Sequence, residues 1–294
     1  MPKAHFFKVK SRIGIINNPN KQKGNNIGVE DGADHILEEN FLKNLKNYLV
    51  SDFSFPDPED LSKENFFKEI EKYILKLQNL INREIENNEI QIVIGGDHSV
   101  SLPSVLAVID RIGSAKKIGY VHFDSHGDIN LYKQSPSKNF HGMYLRPLFD
   151  DFDISIIDSL LVDKIPTENL LIVGNLDLDE GEFQFLNNKN IKTISRQNLV
   201  SDNIKTLKIF KDFISNFEYL HVSFDGDVLD KSIFSATGIP AQKGFRLNEI
   251  MQFIDLISKH PHLSFDISEF NPHKKGALKS KEICQQILLS VLGR

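Results

Sequence analysis

An α/β fold, a mainly parallel sheet with helices on both faces, is what the sequence predicts, on three observations. Short apolar runs alternate with amphipathic stretches along the chain, the pattern of strand–helix–strand units. Several of the apolar runs are near-continuous, as strands covered on both faces are. The 294 residues are 40% hydrophobic and 26% charged, enough to bury one large core and too apolar to stay disordered. No internal repeat and no dividing linker interrupts the pattern, so residues 1–294 read as a single domain.

The predicted strands, in order, are Ile13–Ile16, Ile92–Ile94, Ile118–Phe123, Leu170–Val173, Lys192–Ile194, Leu220–Phe224 and Leu263–Ile267. The clearest helix runs from Ser62 to about Glu84. Its apolar residues Phe66, Phe67, Ile70, Tyr73, Ile74, Leu77, Leu80 and Ile81 recur in steps of three and four, which puts them on one face. Further helices are predicted over Leu102–Ile112, Gln197–Phe217, Leu247–Lys259 and Lys281–Leu292. Asn18–Asn26 and Lys133–Phe140 read as loops, and loops at strand ends are where α/β enzymes place substrate contacts.

Composition narrows the partners. A formal charge of −5 leaves no basic surplus to meet phosphates, so no nucleic-acid partner is expected. No apolar run approaches the roughly 18–20 residues that span a bilayer, so no membrane partner is expected either. The segment MPKAHFFKVK is basic but leads into no apolar stretch, unlike a signal peptide. Cys284 is the only cysteine. An intrachain disulfide is therefore excluded, which fits a cytoplasmic location.

The chemistry concentrates in three segments, each closing a predicted strand: Gly95-Gly96-Asp97-His98-Ser99, Asp124-Ser125-His126-Gly127-Asp128 and Asp225-Gly226-Asp227. They offer His98, His126, Asp124, Asp128, Asp225 and Asp227 to one cavity at the carboxyl ends of strands, the usual active-site rim. Asp124, His126 and Asp128 stand two apart, and in an extended chain alternate side chains share a face. Four carboxylates in one pocket stay ionised together only with comparable positive charge among them, and two divalent cations carry it. Oxygen-rich donors with two imidazoles suit Mn²⁺ better than a structural Zn²⁺. Six ligands for two ions leave open positions for an activated water. His122 and His221 fall on strand positions that read as core, and no ligand role is expected for them.

With these motifs in place, the chain resembles the ureohydrolase superfamily of arginase, agmatinase and formiminoglutamase, from its first strand to near its end. The resemblance implies a three-layer α/β/α sandwich, two Mn²⁺ per chain, and assembly as a homotrimer or homohexamer. By the same resemblance His98, Asp124, Asp128 and Asp225 hold one ion. His126, Asp124, Asp225 and Asp227 hold the other, with Asp124 and Asp225 bridging. Asp128-Ile129-Asn130, followed by Ser135 to Met143, is similar to the arginase loop. There the residues matching Asn130, Ser137 and Asn139 bind the substrate α-carboxylate, and the one matching His141 shuttles protons. Asp177 to Glu182 resembles the stretch whose second acid, here Asp179, meets the α-amino group. Asp266 to Pro272 resembles the late strand whose Glu, here Glu269, sits beneath the guanidinium.

The implied activity is hydrolysis of the small guanidino substrate L-arginine to L-ornithine and urea. A metal-bridging hydroxide oriented by Asp128 would attack, with Glu269 pairing the cation and His141 protonating the leaving amine. Some positions depart from the arginase pattern. Ile239 replaces a threonine near the guanidinium, Lys138 a loop glycine and Ser125 a common alanine, while Leu176 stands where many arginases carry arginine. Two other readings are a sister ureohydrolase acting on agmatine, guanidinobutyrate or formiminoglutamate, and a metal-binding homologue without activity. Ser137, Asn139 and Asp179, the apparatus for an amino-acid head, discriminate the first, since agmatine has no α-carboxylate and would leave Ser137 and Asn139 unused.

Overall fold

The structure, a computed structural model, describes residues 3–15, 26–57, 62–174 and 177–293. Eight strands form one sheet: β1 Lys3–Lys10, β2 Tyr48–Ser54, β3 Glu89–Ile94, β4 Ile118–Phe123, β5 Leu170–Val173, β6 Lys192–Ile194, β7 Tyr219–Asp225 and β8 Leu263–Ser268. Their spatial order is β2-β1-β3-β8-β7-β4-β5-β6. Every pair is parallel. The central strands β3, β8, β7 and β4 come from distant parts of the chain. The loops leaving their carboxyl ends therefore converge, as at the switch points of other α/β sheets.

The strands are apolar throughout because both faces are covered. Phe6, Ile92, Ile94, Phe123, Phe224 and Ile267 pack with the Asn203–Ile214, Leu247–Ile257 and Ala277–Val291 helices on one side. Phe7, Val93, Tyr120 and Ile172 pack with the Lys63–Glu84 and Ser101–Ile112 helices on the other. Neighbours such as Phe6 and Phe7 go to opposite cores because side chains alternate along a strand. Each fully buried Phe, Ile or Val contributes on the order of 2 kcal/mol. The three-layer sandwich is as predicted.

Four elements differ from the sequence reading. Ile13–Ile15 forms a short 3-10 turn, not a strand, and Ile16 and most of the Asn18–Asn26 loop lie outside the described residues. The first strand is Lys3–Lys10, whose lysines obscure its alternation. Lys8 reaches Asp34 and Asp52 at 2.8 Å each, and Lys3 reaches Glu89 at 2.8 Å. The edge strand β2 was missed because only one of its sides is partly covered and no apolar run marks it. The predicted Gln197–Phe217 helix is two helices, Arg196–Ser201 and Asn203–Ile214. Asp202 interrupts it, and its side chain accepts the Lys205 N–H at the start of the second.

Candidate metal and substrate site

At the end of β3 the chain turns through Gly95-Gly96. A Cβ on Gly96 would stand 2.0 Å from the Ser11 carbonyl oxygen, so only glycine fits this approach. Asp97 caps the turn, accepting N–H bonds from Ser99 and Gly14 at 2.8 Å each. This aims His98 inward. Its Nδ1 lies 3.0 Å from Asp124 Oδ2, 3.0 Å from Asp128 Oδ2 and 3.5 Å from Asp225 Oδ2. His126 Nδ1 lies 3.2 Å from both Asp124 Oδ1 and Asp227 Oδ2. Asp124 thus presents one oxygen to each of two donor groups. The first is His98, His122, Asp124 and Asp128, and the second is Asp124, His126 and Asp227.

The convergence has a different origin from the alternation expected of Asp124, His126 and Asp128. β4 ends at Phe123, and Asp128 has a left-handed backbone with φ of +49°. That turn, rather than a pleat, brings Asp128 back to His98. The alternation rule instead joins His122 to Asp124, which stand two apart where β4 ends. His122 is fully buried, as predicted, but its Nε2 lies 3.3 Å from Asp124 Oδ2. Ser125, the departure from alanine, hydrogen-bonds through its hydroxyl to the Asp227 carbonyl at 2.6 Å, and its N–H meets Asp227 Oδ1 at 3.1 Å. It locks the second cluster to the first.

Electrostatics mark the same residues. Burial raises the Asp225 carboxyl well above the carboxylate range, and repulsion from Asp227 and Asp124 adds to it. Asp227 is pushed up to about 7 by burial, against the pull of His126. Burial also works against ionised Asp124, yet the facing imidazoles of His122, His126 and His98 hold it well below the ordinary range. Such a set stays jointly ionised only with comparable cationic charge among it, so these donors fit two divalent ions.

Above this floor sits the Glu269–His141 pair. Glu269, at φ +63°, follows β8. Its Oε1 lies 3.0 Å from His141 Nδ1 and accepts the His98 N–H at 3.1 Å, and its Oε2 accepts from Asn26 Nδ2 at 2.7 Å. Burial disfavours both charged forms, but the bond between them keeps the Glu269 carboxyl low and the His141 imidazole high. The far wall is made by Asn130, Ser137, Asn139 and Asp179. Asn130 Nδ2 donates to Asp179 Oδ2 at 2.9 Å, and Ser137 Oγ accepts the Asn139 N–H at 3.2 Å. The buried Oδ1 atoms of Asn130 and Asn139 have no hydrogen-bond partner among the described residues. Glu182 accepts the Ile129 and Asp179 N–H groups and is pushed up to about 8, by burial and then by Asp128. It therefore acts as a helix-start acid.

Floor, pair and wall enclose one cavity of about 410 Å³. It is lined by His126, Asp128, Asp225, Asp227, Asn130, Ser137, Asn139, His141, Asp179 and Glu269, with His98 and Asp124 just beneath. The structure thus brings every predicted site residue together. Sequence reasoning missed Asn26, whose only signal was its place at the end of a polar loop, and Tyr144 and Ser223, which sit in apolar runs. Ile239 is at the cavity mouth, 58% exposed. Lys138 adopts φ +62°, where the resemblance expects glycine, and its Nζ donates to the Tyr132 and Lys133 carbonyls. Leu176 lies outside the described residues.

Comparison with known proteins agrees with this geometry. The model of the Arginase family matches residues 11–293. An arginase of Staphylococcus aureus (strain COL) is 31% identical over 280 residues, covering 88% of this chain and 90% of that protein. The arginase of Entamoeba histolytica is 27% identical over 286 residues, covering 94% and 96%. Its crystal structure in complex with L-ornithine superposes with a TM-score of 0.85 at 25% identity, covering 100% of this chain and 99% of that one.

Proposed function

The chain belongs to the arginase family and is an arginase-type ureohydrolase, and from that premise we propose that it hydrolyses L-arginine to L-ornithine and urea with two Mn²⁺ ions. The observation that carries this reading is that the paired carboxylate clusters, the Glu269–His141 pair and two unpartnered amide oxygens face one cavity. His98, Asp124, Asp128 and Asp225 would hold one ion, and His126, Asp124, Asp225 and Asp227 the other. The oxygen-rich donor set favours Mn²⁺. When bound, the ions supply an activated water and positive charge for the developing oxyanion.

The chain's own residues do the rest. Ionised Glu269 pairs with the guanidinium and holds its carbon over the floor. Asn26 steadies the far oxygen of that carboxylate. Asp128 accepts a hydrogen bond from the attacking water and so orients it. As the C–N bond breaks, water oxygen becomes the urea oxygen and ornithine leaves as an amine. His141, bonded to Glu269 through Nδ1, keeps Nε2 to deliver the proton that amine needs. Asn130, Ser137 and Asn139 take the α-carboxylate through their N–H and hydroxyl donors and Asp179 the α-amino group, an ammonium whose N–H groups the unpartnered amide oxygens of Asn130 and Asn139 can also accept.

We read residues 1–294 as one domain and expect a homotrimer or homohexamer, with the guanidino substrate as the small-molecule partner. A cytoplasmic location is supported by the single buried Cys284. No helix among the described residues is long and apolar enough to cross a membrane. One observation favours a sister ureohydrolase: Ile239 presents an apolar side chain at the mouth where arginases have a hydroxyl. Urea release after Mn²⁺ loading, compared across arginine, agmatine, guanidinobutyrate and formiminoglutamate (for the last, formamide release), tests the assignment. Preference for a substrate without an amino-acid head would overturn it.

A further inference from the structure

We propose that His122 is an additional metal ligand, contributing a second imidazole nitrogen to the ion held by His98, Asp124 and Asp128. This rests on the reading of those residues as a metal site and extends it by one donor. His122 lies on the last turn of pleat in β4, two residues before Asp124, so both side chains leave the strand on the same face. One ligand atom from each of His98, His122, Asp124 and Asp128 lies within 4.8 Å of all the others, the spread that donors around one ion require.

Three details separate His122 from an ordinary core histidine. Its Nε2 is buried, has no hydrogen-bond partner among the described residues and points at the shared carboxylate. A buried polar atom left without a partner is costly, and a cation in the cluster would satisfy it. Its other nitrogen, Nδ1, lies 3.2 Å from the Tyr144 hydroxyl. Ligating histidines are held this way, one nitrogen on the metal and the other anchored by a neighbour. His98 is arranged likewise, with Nδ1 facing the carboxylates and Nε2 2.5 Å from Ser223 Oγ. The two rings stack with centroids 5.1 Å apart at 20°, presenting nitrogen to the same space. His221, in β7, faces a single carboxylate, Asp266, and has no such set of donors around it among the described residues.

A second imidazole changes what this position prefers. Carboxylate oxygen suits Mn²⁺, whereas imidazole suits the later first-row ions. The geometry therefore points to a site that is less exclusive for Mn²⁺ and binds Co²⁺ comparatively well.

The test uses the full chain loaded with Co²⁺ and proton NMR of the paramagnetic protein, where each ligating imidazole gives a strongly shifted ring N–H resonance. Beside the solvent-exchangeable resonance of His126, which lines the open cavity, wild-type protein should show two such resonances protected from exchange, from His98 and His122, and His122→Phe should show one protected resonance. The Co²⁺ affinity of His122→Phe should fall by at least about tenfold relative to its Mn²⁺ affinity. A single protected resonance in wild-type protein overturns the inference, whether or not the variant folds. So does an unchanged Co²⁺-to-Mn²⁺ ratio in the folded variant. Folded wild-type protein that takes up neither ion would remove the metal-site reading itself, which is a different failure.

Discussion

The floor and the far wall of the cavity are built in opposite ways. Floor residues stand at or just after the ends of β3, β4 and β7, and those ends are pinned by the sheet and by two packed cores. Nearly every donor there has its direction fixed by a neighbour, as Ser125 fixes Asp227 and Ser223 fixes His98. The wall is loop. Its backbone runs through the left-handed Lys138, and its Asn130 and Asn139 leave polar atoms unspent. Chemistry that must not vary is placed on strands, and recognition that distinguishes one substrate from another is placed on loops.

The contrast can be tested by substitution, starting at the floor. Asp124→Ala removes the carboxylate shared by both donor groups. Metal content measured on folded protein should drop from about two ions per chain toward none, and urea release should disappear. Asp225→Ala should follow it, and Asp227→Ala should be milder. Full retention of both ions in Asp124→Ala would mean the floor is not the metal site.

His141→Ala acts between floor and wall. It should leave metal content intact and lower kcat by roughly 10- to 10⁴-fold, the range for a lost proton-transfer group. An unchanged kcat across about pH 7–9, where such a group works, would remove His141 from the reaction.

Asp179→Ala belongs to the wall alone. It should lower kcat/KM for arginine by about 10- to 100-fold, the cost of a hydrogen bond to a charged group. Slow guanidinobutyrate turnover should change far less, because guanidinobutyrate lacks the amino group that Asp179 is read to meet. Equal losses on both substrates would show that Asp179 supports the fold and not the head group.

Lys138→Gly should do least. It relieves a left-handed backbone strain of about 1–2 kcal/mol but loses the Nζ bonds to Tyr132 and Lys133 and adds chain entropy. Denaturant unfolding should place it within about 1 kcal/mol of the parent. A loss above about 2 kcal/mol would show that those Nζ bonds hold the wall in place.

The same contrast explains what could be read from the chain itself. Six of the seven predicted strands match observed strands to within one residue at their carboxyl ends, most of them because strands inside the sheet are apolar on both faces. β1 and β2 were hidden by lysines and by half-exposure at the sheet edge. All six floor residues were legible because they cluster directly after strands. The reason first given for three of them was wrong, since the turn at Asp128 depends on a backbone conformation that spacing does not encode. His122 reads as core and is fully buried, but its approach to Asp124 at the end of β4 shows only in the folded chain. Asn26 and Glu269 stand 243 positions apart and meet only in the folded chain.

The short helix Phe140–Met143 has an evolutionary consequence. It carries His141 toward the cavity, and the next residue, Tyr144, sets its hydroxyl against His98 and His122. One turn separates the two side chains, and the Leu145 N–H is tied back to the Asp128 carbonyl. An insertion or deletion of a single residue in this 3-10 turn would rotate one of them away by about 120°. Descendants of this sequence are thus free to lengthen the Lys133–Pro136 stretch as substrates change, while the count of residues from His141 to Tyr144 is frozen.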